Sequence, residues 1–129
     1  MRIQSHKELN VFKSAFDLAL QIHLLTKLFP VEEKYSLTDQ IRRSSRSVAA
    51  NIAEAFIKRR YPKSFVSKLL DCEGEVAEAQ VWLKFANSFG YLDEAILLKL
   101  DEKYDHIHAQ LFSMIKSPKN GPSKPFPSS

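Results

Sequence analysis

The sequence predicts an all-α fold, an antiparallel up-down-up-down four-helix bundle followed by a disordered C-terminal tail. Three observations lead there. Apolar residues recur at steps of three and four in four separate stretches, which is the spacing that lines one face of a helix. The chain has 129 residues, 44% hydrophobic and 26% charged, with only three glycines, too few for the tight turns of a sandwich or barrel. The stretches are joined by short proline- or glycine-marked connections, and short connections between long helices place neighbours antiparallel. Residues 1–116 are read as the bundle domain and 117–129 as the tail.

The first helix is expected between Glu8 and Phe29. Leu9, Phe12, Phe16 and Ala19 form one apolar row and Val11, Ala15, Leu18, Ile22, Leu25 and Phe29 another, so its greasy arc is broad; Pro30 ends it. Ser36 with Asp39 three residues on reads as a variant capping box opening the second helix. That helix is expected to run to about Arg60, because Tyr61 precedes Pro62 and the residue before a proline is biased away from helical dihedrals. Its core side is Leu37, Ile41, Ser45, Val48, Ile52 and Phe56. Pro62 fits the first turn of the third helix, whose stripe is Phe65, Leu69, Cys72, Val76, Leu83 and Ala86, with Trp82 and Phe85 widening it. Gly90 suits the left-handed position that closes this helix after Phe89. The fourth helix, from about Asp93 to Lys116, carries Leu97, Leu100, Tyr104, Ile107, Leu111 and Met114 as a heptad-like seam. Ser117 to Ser129, SPKNGPSKPFPSS, has the composition of a flexible end, with Lys119 and Lys124 available as a basic arm.

No segment approaches the roughly 20 uncharged apolar residues of a membrane span, and the N-terminus lacks a signal-peptide apolar run, so no membrane partner and a cytoplasmic location are expected. Cys72, the one cysteine, sits on an apolar stripe and reads as a silent core thiol. His106 and His108 are two apart on a helix and point to different sides, while His6 and His23 stand alone, so no metal-ligand spacing exists. Glycine-rich phosphate loops and cysteine pairs are also lacking, and no cofactor is expected. Ser44, Ser45 and Ser47 lack a positioned histidine, and Glu54 lacks a nucleophile or substrate-orienting group. Asn51 and Glu54 read as structural hydrogen-bonding or ion-pairing residues. A nuclease built on Asp71, Glu75 and Glu78 is the remaining enzymatic reading, and an acidic helix face is far commoner as a solvated or ion-paired surface. The chain is expected not to be an enzyme.

The net charge of +4 is concentrated. Between Ile41 and Lys68 lie eight cations, Arg42, Arg43, Arg46, Lys58, Arg59, Arg60, Lys63 and Lys68, against the single acid Glu54. Clustered cations recruit polyanions, and Tyr61 is placed to stack on a base, so this set is the candidate nucleic-acid surface. The last-turn cations also suit the helix dipole without any ligand. The far side of the second helix competes for the same arginines: Arg43, Arg46, Ala50, Ala53 and Ile57 again step by three and four. Small residues between arginines permit a second helix to approach, with Asp71, Glu75 and Glu78 of another subunit as mates. Alternatively, the alanines serve helix propensity and the arginines solubility.

One set of residues carries a family likeness. Phe29, Pro30, Tyr35, Ser36, Leu37, Thr38, Gln40, Ile41, Arg42, Arg43, Ser44, Ser47, Val48, Asn51, Ile52, Ala53 and Glu54, then Gly74, Glu75, Glu78, Leu83, Ala86, Gly90, Tyr91 and Leu92, occur in order. The pattern, covering roughly Glu8 to Ile115, resembles the four-helix-bundle family encoded by intervening sequences of bacterial 23S ribosomal RNA genes. The resemblance implies a ring-like homo-oligomer, commonly a pentamer, with a basic surface proposed to contact RNA or DNA and no known enzymatic activity. A related branch, the accessory proteins of diversity-generating retroelements, binds a reverse transcriptase as well, which makes that enzyme a further partner to consider. The alternative function is a protein-interaction scaffold whose basic cluster serves assembly. The chain departs from the pattern at Ala55, where the family usually has glycine, so a close helix contact there is placed in doubt.

Overall fold

The computed structural model describes residues 3–117. Its order is a 3₁₀ turn His6–Glu8, α1 Asn10–Thr26, a second 3₁₀ turn Val31–Glu33, α2 Leu37–Ile57, α3 Pro62–Ser88 and α4 Glu94–Lys116. Among the described residues there are helices and no strands, as the periodicity predicts. Each helix packs on the next, the α2–α3 seam being the most extensive, and α1 closes more lightly against α4. All of the expected tail except Ser117 lies outside the described residues.

The apolar stripes meet in one core. Ile41, Val48 and Ile52 of α2, Phe65 and Leu69 of α3, and Tyr104, Ile107 and Leu111 of α4 are sealed from solvent. Burying side chains of this size contributes roughly 1.5–3 kcal/mol each. Cys72 belongs to this core, and burial pushes its thiol pKa up to about 12, so it stays protonated and unreactive at neutral pH. Ala55 is likewise fully buried, so the methyl that replaces the family glycine is accommodated inside the core.

Helix ends depart from the sequence expectation in three places. An extended Leu9 (φ −72°, ψ 127°) separates the first 3₁₀ turn from α1, which therefore begins at Asn10. At its other end the bonds shorten to three-residue steps, Lys27 N–H to the Leu24 carbonyl and Phe29 N–H to that of Thr26, because Pro30 cannot continue the helix. The capping box is the second difference. The Ser36 hydroxyl makes no cap bond. Instead it donates to Glu33 Oε1 at 2.6 Å, and that same oxygen accepts the Leu37 N–H at 3.3 Å, so Glu33 fills the role expected of Ser36 and Asp39. The third is α2, which stops at Ile57 rather than Arg60. Lys58 N–H is shared between the Glu54 and Ala55 carbonyls while Tyr61 turns extended (φ −114°, ψ 95°) to enter Pro62.

The α3–α4 connection follows the expectation. Gly90 takes φ 82°, Tyr91 N–H reaches the Ala86 carbonyl at 2.8 Å and Gly90 N–H that of Asn87 at 3.0 Å, a Schellman closure that needs a residue without Cβ strain. Asp93 Oδ1 then accepts Ile96 N–H at 2.8 Å to start α4. Tyr91 Oη donates to Glu33 Oε2 at 2.8 Å, tying this connection to the one before α2.

Candidate nucleic-acid interface

The eight cations all lie on α2, on the turn after it or on the first part of α3, but the structure does not leave them equally free. Lys68 Nζ reaches Glu54 at 3.2 Å and Asp71 at 3.4 Å, and Lys58 reaches the other oxygen of Glu54 at 3.4 Å. Hydrogen bonding by Lys68 holds the Glu54 carboxyl below its ordinary value, and Glu54 holds the Lys68 ammonium above its own. Glu54 thus ion-pairs, as its sequence context predicts. Arg43 Nη2 lies 3.5 Å from Glu78, an acid expected to pair across subunits but paired here within the chain. Arg59 stacks on the Phe56 ring at 3.9 Å and donates to the Phe56 carbonyl at 2.9 Å, closing the end of α2.

Arg42 has a structural duty that spacing could not reveal. Its Nε donates to Thr26 Oγ1 at 2.8 Å and its Nη2 to the His23 carbonyl at 3.4 Å, so it satisfies the open end of α1. Arg46 is exposed, and its Nη2 donates to His23 Nδ1 at 3.1 Å, which requires a neutral imidazole carrying its proton on Nε2. Partial burial, then the charges of Arg42, Arg46 and Lys27, lower the His23 pKa and favour that neutral form. Arg60 and Lys63 are exposed and have no carboxylate partner among the described residues; Tyr61 between them is 67% exposed.

Two basic regions result, one at each end of α2. At the C-terminal end, Arg60, Tyr61 and Lys63 stand exposed where α2 passes into α3. At the N-terminal end, Lys34, Tyr35, Thr38, Arg42, Arg46 and Ser47 line an open groove of about 510 Å³. Sequence spacing misses Lys34, Tyr35 and Thr38 as neighbours of the arginines and leaves His23 isolated. The His23 to Arg46 contact spans two helices and leaves no local periodicity to find.

The expected oligomer face is distributed as follows. Ala50 is exposed, Ala53 half-buried and Ile57 70% exposed. Asp71 is occupied by Lys68 and Glu78 by Arg43 and by Trp82 Nε1 at 3.3 Å. Glu75 has Oε1 buried without a hydrogen-bond partner, and burial followed by the charge of Glu78 raises its pKa. More apolar surface is exposed on α1, where Phe16 is 50%, Leu20 51% and Leu24 63% exposed, and Phe16 and Leu20 line an apolar groove with Ala49 and Ala50 of α2.

Among the described residues no group of histidine, cysteine or carboxylate side chains could hold a metal ion, and no helix is long and apolar enough to cross a membrane. Ser44 and Ser45, both buried, donate to the Gln40 and Arg42 carbonyls at 3.0 Å and are committed to their own helix.

A family model described as 23S rRNA-intervening sequence protein matches residues 7–113, which include all of α1, α2 and α3 and most of α4. The chain belongs to this family. A crystal structure of a protein of unknown function from the S23 ribosomal protein family of Bacteroides thetaiotaomicron is similar in fold, with a TM-score of 0.73 and 26% identity, covering 82% of this chain and 95% of that one. No curated protein matches the sequence. Family membership and the shared fold agree with the likeness carried by residues 29–54 and 74–92.

Proposed function

We propose that this protein is a non-enzymatic homo-oligomer that binds nucleic acid through the basic surface at the ends of α2, foremost Arg60, Tyr61 and Lys63. The observation that carries this reading is the charge left over after ion pairing. Lys58, Lys68 and Arg43 are met by carboxylates, whereas Arg60 and Lys63 stand beside an exposed aromatic ring with none among the described residues. Neutralising phosphates is what unpaired, clustered cations do best, and a ring that stacks on any base adds affinity without sequence preference. The pentamer is the subunit number that the family likeness favours. Assembly through the apolar face of α1 would cover Phe16, Leu20 and Leu24 and leave the turn at Arg60, Tyr61 and Lys63 open.

The test is fluorescence anisotropy of labelled structured RNA and duplex DNA at low and high salt. Binding should weaken steeply with salt, and Arg60→Glu with Lys63→Glu should lower affinity at least tenfold with an unchanged oligomer mass. Unchanged affinity in that variant would overturn the assignment of the turn. A second reading, a scaffold for another protein such as a reverse transcriptase, is favoured by the exposed apolar side chains of α1. Salt-insensitive capture of a purified partner by the wild type, lost on Phe16→Glu with Leu20→Glu, would support that reading over the first.

A further inference from the structure

We propose that the groove at the N-terminal end of α2 is a binding site for a phosphomonoester, the dianionic terminal phosphate of a nucleotide or of an RNA end. The site is separate from the α2–α3 turn: Arg46 lies eleven residues, about 16 Å of helical rise, before Ile57, where α2 ends and the turn begins.

Charge is the first argument. Lys34, Arg42 and Arg46 line one concavity, and none of them has a carboxylate within ion-pair distance among the described residues. Arg43 lines it as well but is taken by Glu78, and Asp39 lines it without pairing to any of the cations. Converging cations repel one another unless an anion joins them, and a monoester carries about −1.5 to −2 charges and three acceptor oxygens at pH 7, against one charge for an internal diester. The exposed side chains of the turn suit an extended backbone; the groove suits the compact dianion.

Preorganisation is the second. Arg42 is held by its bonds to Thr26 and the His23 carbonyl, so its guanidinium does not have to be ordered on binding. Arg46 rests on His23, a neutral acceptor that it exchanges for a charged phosphate oxygen with a gain in strength. Ser47, Thr38 and Tyr35, each of which carries a hydroxyl, line the same space. Its volume of about 510 Å³ lies within the roughly 300–1,000 Å³ of small-molecule sites. Tyr35, 86% exposed at the rim, offers a ring for the base.

His23 gives the site its own reporter. The charged groups around it are Lys27 on its own helix and Arg42 and Arg46 from α2, all of them cations. A bound dianion offsets that field and moves the titration of His23 upward, an effect that anion binding at the distant turn cannot produce.

The experiment is titration calorimetry of the full chain with inorganic phosphate, AMP and adenosine, and with one short RNA carrying a 5′-phosphate or a 5′-hydroxyl, together with NMR titration of the histidine rings, His23 being assigned with His23→Gln. AMP should bind at least tenfold tighter than adenosine, Lys34→Glu should remove that preference, Arg60→Glu with Lys63→Glu should keep it, and the His23 midpoint should rise when phosphate is added. A preference for the phosphorylated RNA end alone identifies the RNA end as the source, and a preference for AMP alone identifies the free nucleotide. Equal binding of AMP and adenosine, with no preference between the two RNA ends, overturns the proposal. So does a phosphate preference that survives Lys34→Glu or disappears with the turn variant, and so does a stationary His23 midpoint.

Discussion

The two ends of α2 are built from the same residue types and do different things with them. At the N-terminal end, Arg42 and Arg46 point toward α1, converge with Lys34 in a groove and are held by Thr26 and His23. At the C-terminal end, Arg60 and Lys63 stand exposed at a turn where no described carboxylate engages them, while their neighbours Lys58 and Lys68 share Glu54. Composition alone treats these as one basic run. The structure separates the groove lined by Lys34, Arg42 and Arg46 from the exposed turn that carries Arg60 and Lys63, and it sets Lys58 and Lys68, neutralised by Glu54 and Asp71, apart from both.

The bluntest way to break the comparison is to loosen the core that holds both ends in register. Ile52, fully buried in the C-terminal half of α2, replaced by Ala should cost about 2–5 kcal/mol in denaturant unfolding, and binding at both ends should fall together as the variant nears its midpoint. Replacing Arg42 by Ala should cost about 1–3 kcal/mol, since it removes a charged donor and leaves the end of α1 open; binding at the groove should suffer while RNA affinity at the turn persists. Tyr104→Phe should go the other way. Its hydroxyl is buried without a hydrogen-bond partner, so deleting it should stabilise the fold by about 1 kcal/mol and change neither end.

The smallest effect concerns the N-terminal end alone. Hydrogen bonds from Ser36 and then Tyr91 hold the Glu33 carboxyl below its ordinary 4.5. A carboxyl with a lowered folded value binds fewer protons in the folded than in the unfolded state, so its contribution is complete above about 4.5 and is lost as pH falls below that through the folded value. Glu33→Gln should flatten that part of the acid-unfolding curve, and Tyr91→Phe should flatten it in part.

How much of this could be read from the sequence depends on whether a feature is local. The core side of α2, with Leu37, Ile41, Ser45, Val48, Ile52 and Phe56, is legible because burial imposes a period that any window of a dozen residues displays, and every one of these residues is buried. The Gly90 closure is legible for the same reason: one residue type answers one backbone requirement. Ion pairing is not local. Lys68 lies fourteen residues beyond Glu54 and on a different helix, and no pattern within α2 shows that it shares that one carboxylate with Lys58. Likewise Arg42 reads as a free surface cation until α1 is seen ending beside it, and Glu33 replaces Ser36 as the cap because the preceding 3₁₀ turn brings its carboxylate to both the Ser36 hydroxyl and the Leu37 N–H.

The central claim is that function follows the cations left without carboxylates, not the basic run as a whole. Its most direct test is anisotropy of labelled structured RNA at low and high salt with two neutralised pairs side by side, Arg60→Gln with Lys63→Gln and Lys58→Gln with Lys68→Gln. Each pair removes the same formal charge. The first should weaken binding at least tenfold and lower the salt slope by about 2, while the second should change affinity less than about threefold. Equal losses in the two pairs would contradict the account, because charge count rather than the pairing seen in the structure would then set the affinity.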